Sequence, residues 1–187
     1  MSKFPPKFTN GQIKDVIEIQ ADVFEENRGC LYTIHQDPDY SDSLNGVTFC
    51  EQRISVTEGG YGRGLHADAS TYKIITCVAE SFELILLDGR INSPTYGKNS
   101  FYRLKYNSGL QILVPPGVYN GHLAWKRATL HYAWSKSYTG PESQKTVSFY
   151  DPALGWPEDQ LKTIKYFFKL SHRDMNETIP FSKAGFT

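Results

Sequence analysis

The sequence predicts a mostly β fold, a sandwich or barrel, from three observations: many short apolar runs, turn signals between them, and unusual aromatic content. The 187 residues include 12 Tyr, 11 Phe and 3 Trp, residue types that favour strands and offer stacking surfaces to sugars and bases. Candidate strands fall at 15–20, 30–34, 47–56, 72–78, 82–88, 110–114, 128–135 and 146–149. Several alternate apolar with polar residues, as in Thr71-Tyr72-Lys73-Ile74, which turns one face of the strand inward. Turn signals separate them at Asn27-Arg28-Gly29, Glu58-Gly59-Gly60, Ser93-Pro94-Thr95-Tyr96-Gly97, Pro115-Pro116-Gly117 and Asp151-Pro152. The tail changes character. Pro157-Glu158-Asp159 reads as a helix start, and Leu161, Ile164 and Phe168 follow at helical spacing, so a short amphipathic helix should pack on the β structure. No repeat or linker interrupts the chain, and one domain over 1–187 is expected.

Composition narrows the function. Apolar residues make up 40% and charged residues 21%, with 20 Lys+Arg balancing 20 Asp+Glu. Such a composition belongs to a globular protein and gives no basic excess for a nucleic-acid or anionic-membrane partner. Cys30, Cys50 and Cys77 are too scattered for a disulfide framework, and Cys50 and Cys77 read as buried thiols in apolar runs. The amino-terminal stretch has no apolar signal core and nothing approaches a membrane span, so a reduced, cytoplasmic protein is expected.

The densest chemistry is Arg63-Gly64-Leu65-His66-Ala67-Asp68, followed by Lys73 between Tyr72 and Ile74-Ile75. An inward ammonium there needs an anionic partner or a lowered pKa. One cation can hold a phosphate, another can face a developing oxyanion, and the imidazole can move a proton near neutral pH. Spacing alone leaves a solvated loop with chance charges equally open. Transition-metal sites usually bring two histidines within a few residues plus a carboxylate. Here His66 stands alone with Asp68 nearby, while His122 and His131 are distant and read as lying in a loop and a strand. No metal site is expected. Asp88 and Arg90 read as a structural pair holding a turn.

The segments ENRG, YGRGLH, YK, LLDGRINSPTYGK, LVPPGVYNGH, LHY, YDPALGWP and SHRD, in that order, carry a resemblance. The chain resembles the dTDP-4-dehydrorhamnose 3,5-epimerase family of double-stranded β-helix (cupin) proteins from about Phe24 to Asp174. The resemblance implies that fold, a homodimer, a nucleotide-diphospho-4-keto sugar as substrate, and neither metal nor redox cofactor. It also implies roles. His66 aligns with the general base, Asp174 with the carboxylate that orients and charges it, Tyr132 with the opposite-face proton donor, and Lys73 with the lysine that stabilises the enolate. Arg63 and Arg28 align with positions lining the nucleotide-sugar site. The chemistry is coherent, because a C4 ketone acidifies the hydrogens on C3 and C5, and inversion needs a base and an acid on opposite faces.

The pattern also departs from the family. Asn120 stands where a histidine is usual, Leu84 where an aspartate is usual, and Glu51-Gln52-Arg53 where a Gln-Asp-Asn run is usual. Glu51, Arg53 and Asn120 are therefore read as substrate-binding positions, Arg53 reaching a phosphate or sugar hydroxyl. Cys30, Leu31 and Thr33 replace the aromatic-and-glutamate pair that commonly contacts thymidine. The run 66–78 looks more like a divergent branch that epimerises GDP-linked 4-keto-heptoses for bacterial capsules. Two other functions compete with an epimerase: a catalytically silent nucleotide-sugar-binding cupin, and a 3,4-ketoisomerase. Retention of His66, Lys73, Tyr132 and Asp174 favours the epimerase, because neither competitor requires an acid and a base on opposite ring faces.

Overall fold

The computed structural model describes residues 4–36 and 39–187; the first three residues of the amino-terminal stretch lie outside them. Two antiparallel sheets face one another. The six-stranded sheet runs β1 (Lys7–Asn10), β2 (Ile17–Gln20), β10 (Leu110–Val114), β7 (Lys73–Ala79), β12 (Ala128–Trp134), β5 (Glu51–Thr57). The five-stranded sheet runs β13 (Lys145–Thr146), β6 (Tyr61–Ala67), β11 (Val118–Ala124), β8 (Ser81–Asp88), β9 (Asn99–Lys105). A separate hairpin pairs β3 (Phe24–Glu26) with β4 (Gly29–Leu31). This is the mostly β architecture that the cupin reading predicts.

Period-two alternation explains how three apolar layers stack on two sheets. From β8, Leu84 and Leu86 point between the sheets, where they meet Ile75, Ile112 and Leu130. Their neighbours Ile85 and Leu87 point outward, against Phe149, Ile164, Phe168 and Phe181 of the carboxy-terminal segment. On the outer face of the other sheet, Ile19, Ile74 and Leu113 pack under Tyr40 of α1 (Asp39–Ser43) and Leu44. The central strands are thus covered on both sides, which suits their continuous apolar runs.

The expected tail helix is α2 (Glu158–Phe167), with Ile164 and Phe168 buried and Leu161 half-buried. A short helix α3 (His172–Asn176) follows. Among the described residues no helix is long and apolar enough to cross a membrane. Some readings need correction. The segment around His122 is not a loop but strand β11, hidden because all seven residues are buried and therefore show no alternation. The strand expected at 47–56 begins at Glu51. Cys50 is exposed rather than buried, whereas Cys77 is buried as expected. Asp88 and Arg90 do hold a turn: the fully buried carboxylate accepts from the Arg90 amide and guanidinium and from the Ser93 and Thr95 hydroxyls.

Candidate active site

A cavity of about 700 Å³ opens between the two sheets. One wall comes from β6 and β11, which approach closely enough to demand glycine. A Cβ on Gly64 would run into the backbone of Gly121 across the strand pair, and Gly64 sits at φ +117, a region side chains disfavour. The register of the two strands breaks there, with Asn120 opposite His66 and His122 opposite Arg63. That wall therefore presents two polar pairs in succession.

His66 is held from both ring nitrogens. Its Nε2 lies 3.0 Å from Asp174 Oδ1, and its Nδ1 lies 3.0 Å from the Thr146 hydroxyl on the edge strand β13. Asp174 is buried in the first turn of α3. Ser171 caps that turn, accepting from the Asp174 amide and donating to Asp174 Oδ2 at 2.9 Å. Burial opposes ionisation of Asp174. The hydrogen bond and charge of His66, with the Ser171 hydroxyl, outweigh it and hold the carboxyl below its ordinary range. A carboxylate only accepts, so Asp174 stabilises His66 in forms that carry a proton on Nε2.

The facing wall belongs to the six-stranded sheet. Lys73, at the start of β7, is 3% exposed, too little for water to solvate its charge. Its Nζ lies 3.5 Å from Asp68 Oδ2, donates to Asn120 Oδ1 at 3.2 Å, and sits 5.1 Å from the centre of the Trp134 ring. Burial lowers its pKa, and the Asp68 carboxylate partly opposes that. Tyr132, on β12, lines the same cavity. Burial pushes its hydroxyl up to about 12, with Arg63 opposing weakly, so at neutral pH it holds a proton.

Charged and aromatic groups flank this centre. Arg53 pairs with Glu51 and stacks 4.4 Å from the Tyr138 ring centre, while Glu51 Oε2 accepts from the Tyr138 amide at 2.9 Å. That amide first, and Arg53 after it, hold the Glu51 carboxyl below its usual range. Arg53 lines the cavity and Glu51 acts behind it. Arg63 donates through Nε to Thr57 Oγ1 at 3.1 Å, and Thr57 in turn contacts His122 Nε2 at 2.9 Å. Arg28 is not brought in: it sits in the turn between β3 and β4, exposed and paired with Glu26 at 2.9 Å.

The structure thus gathers His66, Tyr132, Lys73, Asp174, Arg63, Arg53 and Asn120 at one cavity, with Glu51 supporting Arg53. Sequence reasoning missed His122, Thr57, Thr146 and Trp134 as site residues. An (i, i+2) relation to Asn120 was the one available signal for His122. The others depend on pairings far apart in sequence. Among the described residues no group of three or more His, Cys, Asp or Glu side chains is placed to hold a metal ion.

Known proteins point the same way. The family profile described as dTDP-4-dehydrorhamnose 3,5-epimerase matches residues 10–179. The dTDP-4-dehydrorhamnose 3,5-epimerase of Mycobacterium tuberculosis is 34% identical over 147 residues, covering 75% of this chain and 72% of the relative. That of Neisseria gonorrhoeae is 26% identical over 149 residues, which cover 78% of this chain but only 45% of the longer relative. Among solved structures, the dTDP-4-dehydrorhamnose 3,5-epimerase from Elizabethkingia anophelis superposes with a TM-score of 0.85 at 26% identity, covering 97% of this chain and all of that one (100%).

Proposed function

Because the chain belongs to the dTDP-4-dehydrorhamnose 3,5-epimerase family, we propose that it inverts C3, C5 or both in a nucleotide-diphospho-4-keto sugar. The observation that carries this reading is the His66–Asp174 pair on one wall of a cavity whose facing wall presents Lys73 and a protonated Tyr132. His66 takes the proton from the carbon beside the ketone, and Asp174 stabilises the imidazolium that results. Electrons left on carbon delocalise onto the ketone oxygen, where the Lys73 ammonium stabilises the enolate. Tyr132 delivers a proton to the same carbon from the other side. The tyrosinate recovers its proton from solvent, and His66 releases the one it took.

Arg63 and Arg53 take the diphosphate and sugar hydroxyls, and Asn120 acts through Lys73. The nucleotide is dTDP or GDP, and the product serves surface-carbohydrate synthesis in the cytoplasm. A homodimer belongs to the same reading, supported by the edge position of β5 with Ile54 62% exposed, an edge a partner can cover. Arg28, remote from this chain's cavity, keeps its proposed sugar-nucleotide role only at a site completed by a second chain.

Deuterated water tests the reading. With a panel of dTDP- and GDP-linked 4-keto sugars, wild type should incorporate label at the inverted centre. His66→Asn should abolish exchange while leaving nucleotide-sugar binding in place. Tyr132→Phe should keep some exchange and lose inversion by about 10²–10⁴. Exchange by His66→Asn at the wild-type rate would remove His66 as base. Light scattering that gives a mass near 21.2 kDa at micromolar concentration would remove the dimer.

A further inference from the structure

The chain Arg63–Thr57–His122 has a direction, and the direction fixes a proton. Arginine only donates, so the Thr57 oxygen accepts from Arg63 Nε at 3.1 Å. Thr57 is 2% exposed, so its hydroxyl hydrogen requires a protein acceptor. His122 Nε2, 2.9 Å away, supplies it. Nε2 therefore holds the lone pair, and neutral His122 carries its proton on Nδ1. Burial, then the charges of Arg63 and His66, push the His122 pKa down to about 3, and Asp174 offsets only part. Protonation would also set an Nε2–H against the Thr57 hydroxyl. Across the pair of β11 and β8, His122 faces Leu84 rather than an acid. The ring packs against Phe82, with centroids 5.6 Å apart, a neighbour that offers it no hydrogen-bond partner.

We propose that His122 is a substrate-binding donor, its Nδ1–H locked by Thr57 and Arg63 and directed at a hydroxyl or ring oxygen of the bound sugar. This rests on the reading of the cavity as a nucleotide-sugar site. His122 lines that cavity and stands opposite Arg63, one pair along from Asn120 and His66. It lies between the group that meets the diphosphate and the group that moves the proton. A neutral donor suits that position. An imidazolium beside His66 would lower the affinity of the base for the proton it must take. Thr57 is a positioning residue, acting through His122.

Nitrogen-15 NMR of the histidine-labelled full chain tests the lock without substrate. His122 should show the Nδ1–H tautomer and no titration between about pH 5 and 8, and Thr57→Val should mix the tautomers. With a dTDP-linked 4-keto-6-deoxyhexose, His122→Phe should raise KM about tenfold and change kcat less than about threefold, the scale of one lost hydrogen bond. His122→Asn, whose amide places an N–H near Nδ1, should recover most of the loss, and His122→Gln should not. An Nε2–H tautomer, titration near neutrality, or a KM unmoved by His122→Phe overturns the proposal. Should His122→Phe fail to fold, the wild-type tautomer and the Thr57→Val spectrum decide. Retained exchange in His66→Asn would instead sink the reading of the site and leave the tautomer result intact.

Discussion

The buried ionic clusters around Asp88 and around Lys73 are built oppositely. Around Asp88, every oxygen is saturated: the Arg90 amide and side chain, Ser93 and Thr95 all donate within 2.6–3.0 Å. Arg90 is further tied to Asp15 and the Lys14 carbonyl. Around Lys73, a similarly buried charge has one carboxylate at 3.5 Å, one amide oxygen at 3.2 Å and an aromatic face. A saturated pair has nothing left to offer a ligand and acts as a staple. A cation with loose partners retains capacity for a new negative charge, which is what an enolate provides. The difference separates structure from function more sharply than burial or charge alone.

The largest test of this contrast is Asp88→Ala. It leaves the Arg90 guanidinium and two hydroxyls without their acceptor and should cost about 3–5 kcal/mol in urea denaturation, with activity per folded molecule retained. Lys73→Met should do the reverse: kcat falls about 10²–10³, the scale of a lost oxyanion donor, while stability holds or rises. Asp68→Asn is gentler. Oδ1 can still cap Ser70 and Thr71, but Lys73 loses its counter-charge, its pKa drops further, and kcat at neutral pH should fall about tenfold. If Lys73→Met unfolds the protein while Asp88→Ala spares it, the contrast is wrong.

The smallest effects lie in pH. Burial opposes ionisation of Asp88, but the hydrogen bonds from Arg90, Ser93 and Thr95 outweigh it and place its folded pKa below the ordinary 3.8. Its contribution is complete above 3.8 and disappears as pH falls through the folded value. Lys73 has a folded pKa below the ordinary 10.5. Its buried charge costs stability below the folded value, and that cost fades as pH rises from there to 10.5. Stability thus climbs with pH in both windows. Denaturation midpoints should show Asp88→Asn flattening the acid window in part, since Asp174 shares it, and Lys73→Met flattening the alkaline one.

Legibility in the sequence followed the same divide. Strands that alternate or carry long apolar runs were readable: β10 at 110–114 coincides with its expected span, β8 and β12 differ by one residue at one end, and β7 by one residue at each end. β6 and β11 were not, because glycines and polar residues interrupt their apolar pattern while serving close strand contact. The pairing of His66 with Asp174 was reachable only through family resemblance, since nothing local joins residues so far apart. Thr57 and Thr146 carry no signal at all in one dimension. Their hydroxyls matter through distant neighbours, across the two sheets for Thr57 and on the adjacent strand for Thr146.

Leu84 constrains the paths by which this site can change. It is fully buried in the apolar core and lies opposite His122. An acid at 84 would strand a carboxylate among Phe82, Ile112 and Leu130, with His122 already committed to Thr57. A histidine at 120 would take away the amide oxygen that Lys73 uses. Each change is harmful alone, so the two positions are locked together: neither side chain can be exchanged for an ionisable one without a compensating change at the other.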